Sequence, residues 1–273
     1  MKTSTLIVTL LLATTFSFAG CHEATEGVDA PASTYTATDF AFDGPGELET
    51  GWNEITIKND GQQLHHIYLF RLDEGKTEAD LIAALEAREH PEWAHHVGGP
   101  NTAMPGESVT AWVDLEPGTH VMVCEIPDPE GTPHFAHGMH QAIEVSEADT
   151  EADAPKHDTT LSLRDFSFGM PDPAGGQQVV QVTNDGGQPH EAALVKLEEG
   201  ATAMDFIGAF APDAQGPPPG RGAGGYTGLE PGETAYFQLD LEPGDYAYIC
   251  FLQDPESGKP HFQLGMIEEF TVE

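Results

Sequence analysis

Along most of the chain, hydrophobic residues alternate with polar ones in short runs, the period-two signature of half-buried β-strands. Tyr35-Thr-Ala-Thr-Asp-Phe-Ala-Phe42 alternates in this way, and Trp52-Asn-Glu-Ile-Thr-Ile57 keeps the same period up to an Asn59-Asp-Gly61 turn. Ile67-Tyr-Leu-Phe-Arg-Leu72 predicts an apolar third strand. Val109-Thr-Ala-Trp-Val-Asp-Leu115 and His120-Val-Met-Val123 predict two more, parted by a Pro-Gly turn at 116–118. Ala142-Ile-Glu-Val145 closes the series. One stretch reads as helix: Thr77-Glu-Ala-Asp80 has the form of a capping box, followed by Leu81, Ile82 and Leu85 on one face.

The plan then repeats. Asp165-Phe-Ser-Phe168 stands for Asp39-Phe-Ala-Phe42, Thr202-Ala-Met-Asp205 for the helix start, and Leu229-Glu-Pro-Gly-Glu-Thr234 for Met104-Pro-Gly-Glu-Ser108. Self-similarity at a fixed period implies duplicated structural units. Many short strands, Pro-Gly turns and about 115 residues per unit predict an all-β chain of two Greek-key sandwiches in tandem, each with one short inserted helix. We expect units at 34–146 and 159–273, with the acidic, apolar-poor stretch 147–158 as linker and 21–33 as a tether. The Pro- and Gly-rich stretch Gln215–Gly225 reads as loop.

Residues 1–20 read as a targeting segment, with Lys2 before the apolar run Leu6–Ala13, which is too short for a permanent membrane span. It ends Phe18-Ala-Gly-Cys21, similar to a bacterial lipobox apart from Phe three residues before the cysteine. Cys21 is therefore the expected lipid anchor, placing the protein outside the cytoplasm on a membrane, with outer-membrane or cell-surface display preferred because His22 follows. Simple secretion is the alternative. Ten Lys and Arg against 46 Asp and Glu give a formal charge of −36. Self-repulsion of that size suits a halophilic, acidic surface, because molar salt shrinks the Debye length to about 3 Å. Nucleic acid is excluded as a partner, since no basic patch exists to meet phosphate.

The chemistry lies in the repeat. Cys124-Glu-Ile-Pro-Asp-Pro-Glu-Gly-Thr-Pro-His134-Phe-Ala-His-Gly-Met139 matches Cys250-Phe-Leu-Gln-Asp-Pro-Glu-Ser-Gly-Lys-Pro-His261-Phe-Gln-Leu-Gly-Met266. Upstream, Asn59-Asp-Gly-Gln-Gln-Leu-His65 matches Asn184-Asp-Gly-Gly-Gln-Pro-His190. The offsets are 125 for the Asn and first His, 126 for the Cys, and 127 for the second His and the Met. Two imidazoles, a thiolate and a weak thioether form the ligand set of a blue-copper electron-transfer site. The competing reading is a buried free cysteine, two surface histidines and a core methionine in each half. A Cys124–Cys250 disulfide would require two equivalent loop positions to meet within narrow distance limits.

At these residues both halves resemble cupredoxins, the type 1 copper domains of plastocyanin, halocyanin and the copper nitrite reductases. The resemblance implies one copper per unit, held by His65, Cys124, His134 and Met139 in the first and by His190, Cys250, His261 and Met266 in the second. It also implies that Asn59 and Asn184 brace the ligand loops, where an ordinary turn Asn is the alternative. Nine and ten residues separate Cys from the second His, closer to the long loops of nitrite reductases than to the small carriers. Reductases and two-domain laccases place His beside the Cys ligand, whereas Val123 and Glu125 flank Cys124 and Ile249 and Phe251 flank Cys250. The expectation is therefore a carrier of single electrons rather than an enzyme, with a redox protein partner that the sequence does not identify. Copper handling without electron transfer is the second reading, and a copper oxidoreductase the third. The aromatic next to each second histidine, Phe135 and Phe262, is expected to seal the copper or to fill core. His66, His90, His95, His96, His120, His137 and His140 are surplus, either a second metal site or loading patch or simply exposed loop residues.

Overall fold

The computed structural model describes residues 28–169, 174–210 and 216–273; the expected targeting segment and Cys21 lie outside them. Its first half contains β1 (Ala32–Thr38), β2 (Ala41–Asp43), β3 (Glu47–Glu49), β4 (Gly51–Asn59), β5 (Tyr68–Leu72), α1 (Glu78–Glu86), β6 (Ala94–Gly98), β7 (Ser108–Leu115), β8 (Gly118–Val123) and β9 (His140–Ser146). The second contains β10 (Thr159–Arg164), β11 (Ser167–Gly169), β12 (Gly176–Asn184), β13 (His190–Leu197), α2 (Ala203–Gly208), β14 (Gly220–Leu229), β15 (Thr234–Leu241), β16 (Gly244–Ile249) and β17 (Ile267–Val272).

Each half is a two-layer sandwich, and the layers repeat. β1 pairs parallel with β4, which pairs antiparallel with β7; β10, β12 and β15 reproduce both relations. The opposing layers run β3-β9-β8-β5-β6 in the first half and β14-β13-β16-β17 in the second. Both helices begin on reciprocal capping boxes, Thr77 with Asp80 and Thr202 with Asp205. Two orphan amides are satisfied at each helix start, so helices of only one to three turns hold their place.

The two sandwiches are fused. β7 and β15 pair through Tyr236↔Trp112 and Phe237↔Ala111, making one eight-stranded sheet of order β11-β10-β12-β15-β7-β4-β1-β2. Pairing covers two strand edges that would otherwise be open. Across the seam Trp52 meets Tyr236 edge-on, with ring centroids 5.1 Å apart. One buried cluster runs through both halves, joining Ile55, Ala111 and Val113 to Leu161, Val182 and Phe237. The stretch expected as linker is strapped down rather than free. Ala148 donates its N–H to Thr50 Oγ1 at 3.0 Å, Asp153 to the Val28 carbonyl at 3.0 Å and Asp158 to the Val179 carbonyl at 2.8 Å.

Two local expectations need correction. Gly220–Leu229 is a strand, although its first six residues belong to the stretch read as loop. The glycines do not break this ladder; they let it approach other backbone closely. A Cβ on Gly222 would lie 2.8 Å from the Thr102 carbonyl oxygen, and one on Gly228 would overlap the Tyr68 hydroxyl. β6, Ala94-His-His-Val-Gly98, has no apolar alternation and was not foreseen; it is recruited by pairing with β5.

Candidate metal centres

Four backbone features set each site, and they are the same in both halves. Asn59, fully buried, donates from Nδ2 to the Gln63 and Ala103 carbonyls at 2.7 and 2.8 Å and accepts the Gly61 N–H at 2.8 Å. Asn184 does the same with Gln188, Leu229 and Gly186. Each Asn thus fixes the turn that presents His65 or His190. Cys124 and Cys250 come directly after β8 and β16, and their amides donate to the Met139 and Met266 carbonyls at 3.1 and 3.2 Å. His134 and His261 open 3-10 turns that end on Gly138 and Gly265, at φ 102° and 113°, a region open to glycine at little cost. Those turns fold the long loops back, with Phe135 N–H on the Cys124 carbonyl and Phe262 N–H on the Cys250 carbonyl.

All eight residues expected as ligands are fully buried. His65, Cys124 and His134 converge in one group, and His190, Cys250 and His261 in another. In the first, the two Nδ1 atoms are 3.1 Å apart, and Cys124 Sγ lies 3.9 and 3.4 Å from them. In the second, the Nδ1 atoms are 3.0 Å apart and Cys250 Sγ is 3.3 Å from His261 Nδ1. Metal–imidazole and metal–thiolate bonds of about 2.0 and 2.3 Å at tetrahedral angles separate donors by about 3.3–3.5 Å. The triangles have the size for one metal ion each, and their soft thiolate with two imidazoles suits copper. Met139 and Met266 are placed beside the cysteines by their main-chain pairing.

The outer nitrogens are all occupied. His65 Nε2 faces Asp39 Oδ1 at 2.9 Å and His190 Nε2 faces Asp165 Oδ1 at 3.0 Å. His134 Nε2 faces Gln63 Oε1 at 3.2 Å, and His261 Nε2 faces Gln188 Oε1 at 3.0 Å. An acceptor at Nε2 holds the proton there and leaves the Nδ1 lone pair directed into the triangle. The aromatics that cover the second histidines are Phe40 and Phe166, with ring centroids 5.0 and 5.4 Å from His134 and His261, rather than the adjacent Phe135 and Phe262. Phe135 fills core beside Phe70 and Leu81.

Burial sets the proton balance. Desolvation lowers the pKa of His134 and His261 to about 4, and it lowers His65 and His190 against the opposing pull of Asp39 and Asp165. The same desolvation pushes the Cys124 thiol up to about 12 and Cys250 well above its ordinary value. Two main-chain N–H groups oppose it at each sulfur, from His66 and Ile126 at Cys124 and from Glu191 and Leu252 at Cys250. Neutral imidazoles are ready to bind metal, whereas the thiol gives up its proton only to a cation.

Among the described residues the surplus histidines form no third metal-sized group, although the His90 and His96 rings stack with centroids 6.3 Å apart. His95, His137 and His140 pair with Asp73, Asp128 and Glu78 at 2.9, 2.8 and 2.6 Å. His66, His96 and His120 are not exposed loop residues: burial lowers their pKa to about 3, 3 and 4. Asp39, Gln63, Asp165 and Gln188 were not singled out by sequence reasoning. Their signal was there, because each pair keeps the repeat offset of 126 or 125.

No protein-family model and no curated protein matches the chain. Among solved structures, dithionite-reduced auracyanin from Roseiflexus castenholzii is 22% identical, covering 43% of this chain and 98% of its own, with a TM-score of 0.32. Auracyanin A, a blue copper protein of Chloroflexus aurantiacus, is 18% identical over 42% of this chain and 97% of its own, with a TM-score of 0.31. The copper nitrite reductase of Nitrosomonas europaea is 16% identical, covers 90% and 94%, and has a TM-score of 0.28. Likenesses at such scores carry no argument about this chain. By strand order and donor geometry the chain is a tandem of two-layer β-sandwiches, each holding a buried His–Cys–His group.

Proposed function

We propose that this protein is a copper-binding electron carrier holding one copper ion in each half, with a lipid on Cys21 keeping it at a membrane outside the cytoplasm. The observation that carries the reading is the pair of buried donor triangles whose outer nitrogens are all committed to Asp39, Gln63, Asp165 and Gln188. Bound copper supplies a one-electron Cu(II)/Cu(I) couple. The chain's own part is to keep its ligands still as charge changes. Asn59 and Asn184 fix the ligand turns, the carboxylate and amide acceptors fix the rings, and two N–H groups steady each sulfur. Met139 and Met266 supply the weak fourth contact. Phe40 and Phe166, half-buried over His134 and His261, shield the site from water.

No catalytic role is assigned to any residue. Copper storage is the second reading, and the rigidity of the ligand turns favours transfer over it. Repeated oxidation and reduction of the copper-loaded protein decides between them. Cycling with full retention of metal supports a carrier, whereas loss of Cu(I) to an acceptor chelator at each reduction supports handling.

A further inference from the structure

The residue after each first histidine occupies equivalent positions in the two halves: His66 follows His65, and Glu191 follows His190. Both side chains are buried, 7% and 6% exposed, and both reach the main chain beyond a ligand cysteine. His66 Nε2 accepts the Glu125 N–H at 2.9 Å, and Glu191 Oε1 accepts the Phe251 N–H at 2.8 Å. Their own amides donate to the two sulfurs, the Glu191 N–H to Cys250 Sγ at 3.4 Å.

One side chain joins these two brackets. Asn101, 2% exposed, donates from Nδ2 to Glu191 Oε2 at 3.2 Å and stands beside the His66 ring, where its side chain opposes the fall that burial imposes on the imidazole pKa. It is held at the seam by β14. Its N–H donates to the Gly225 carbonyl at 3.2 Å, and its own Oδ1 accepts the Thr102 N–H at 2.9 Å. Thr102 in turn exchanges hydrogen bonds with the Gly224 carbonyl and amide through its hydroxyl. A buried polar chain spanning an interface is costly unless every member is satisfied, and here the members satisfy one another.

We propose that His66, Asn101 and Glu191 form an internal bridge that passes electrons between the two metal centres. The inference rests on the proposed copper-carrier reading. The path runs from Cys124 through the Glu125 amide to the His66 ring, then Asn101, the Glu191 carboxylate, the Phe251 amide and Cys250. With copper held in both triangles, one electron would leave the reduced centre and enter the oxidised one. No bond breaks, no proton moves and no co-reactant is needed. The two halves then act as one two-electron reservoir with a single internal equilibrium, whichever face meets the partner.

The test uses the full chain loaded with copper, in a Met139→Gln background that gives the first centre its own colour. A sub-stoichiometric pulse of a one-electron reductant is followed at both bands. The bridge predicts a redistribution phase whose rate is independent of protein concentration and which is lost in Asn101→Ala and in Glu191→Leu. Exchange then proceeds only between molecules, at a rate proportional to concentration. A concentration-independent phase of unchanged rate in both variants overturns the bridge, as does its absence from the parent. A metal-free reading stands beside it: amide hydrogen exchange at Phe251 quickens in Glu191→Leu if the carboxylate is its partner, and unchanged exchange contradicts the geometry. Failure to bind copper at all would instead remove the carrier reading and leave the exchange result intact.

Discussion

Asn59→Ala tests whether the ligand turn is held by its side chain. The substitution removes an amide that donates two buried hydrogen bonds, at 2.7 and 2.8 Å, and accepts a third at 2.8 Å. Two main-chain groups lose their partner, the Gln63 carbonyl and the Gly61 N–H, while the Ala103 carbonyl keeps the His65 N–H at 3.1 Å. An orphaned buried group costs about 1–3 kcal/mol, and water reaching the half-exposed Gln63 relieves part of the sum. We expect a loss of about 2–4 kcal/mol, a large share of the roughly 5–15 kcal/mol that holds a domain. In urea, with a slope of about 3 kcal/mol per molar, the midpoint falls by about 1 M. The three tryptophans, Trp52, Trp93 and Trp112, all lie in the first half, two of them at the seam with Tyr236, so their fluorescence in the metal-free protein reports that half and its junction. Asn184→Ala makes the matched experiment in the second half, read by circular dichroism. A change within about 0.5 kcal/mol, the size of an ordinary surface substitution, would show that the turn stands without its Asn.

Three further outcomes follow from the same contacts. Asp39→Ala or Asp165→Ala weakens metal binding at its own site by about 10- to 100-fold, measured by chelator competition, and equal affinity to the parent would refute the orienting role. Burial raises the Glu191 pKa from 4.5 to about 7, so the folded state keeps a proton that the unfolded chain has released. Stability of the metal-free parent relative to Glu191→Gln therefore falls by about 3 kcal/mol as pH rises from 4.5 to 7, and parallel stability curves would contradict it. With a formal charge of −36, unfolding midpoints climb from low to molar salt, and a flat or falling trend would remove repulsion as a factor.

Much of this was legible because the chain states it twice. The Cys, His and Met landmarks recur at nearly constant offset, and the capping boxes announce both helices where they occur. Asp39 escaped notice because its partner is 26 residues away across a strand pairing that no local pattern encodes. β14 was misread because glycine is a ladder-breaker in isolation, whereas here the missing Cβ is what admits the Thr102 and Tyr68 backbone and side chain. The fusion of the two sandwiches was equally hidden. Tyr236 and Trp112 sit in strands whose alternation fits an exposed edge as well as a paired one.

The most direct test of the account is a copper count and visible spectrum on three proteins: the parent, Cys124→Ser and Cys250→Ser. The triangles are complete within each half, so the parent should bind two coppers and show an intense thiolate charge-transfer band. Each variant should keep one copper and lose only its own share of the colour. A colourless parent that takes up no copper, or a single substitution that strips both coppers, would contradict it.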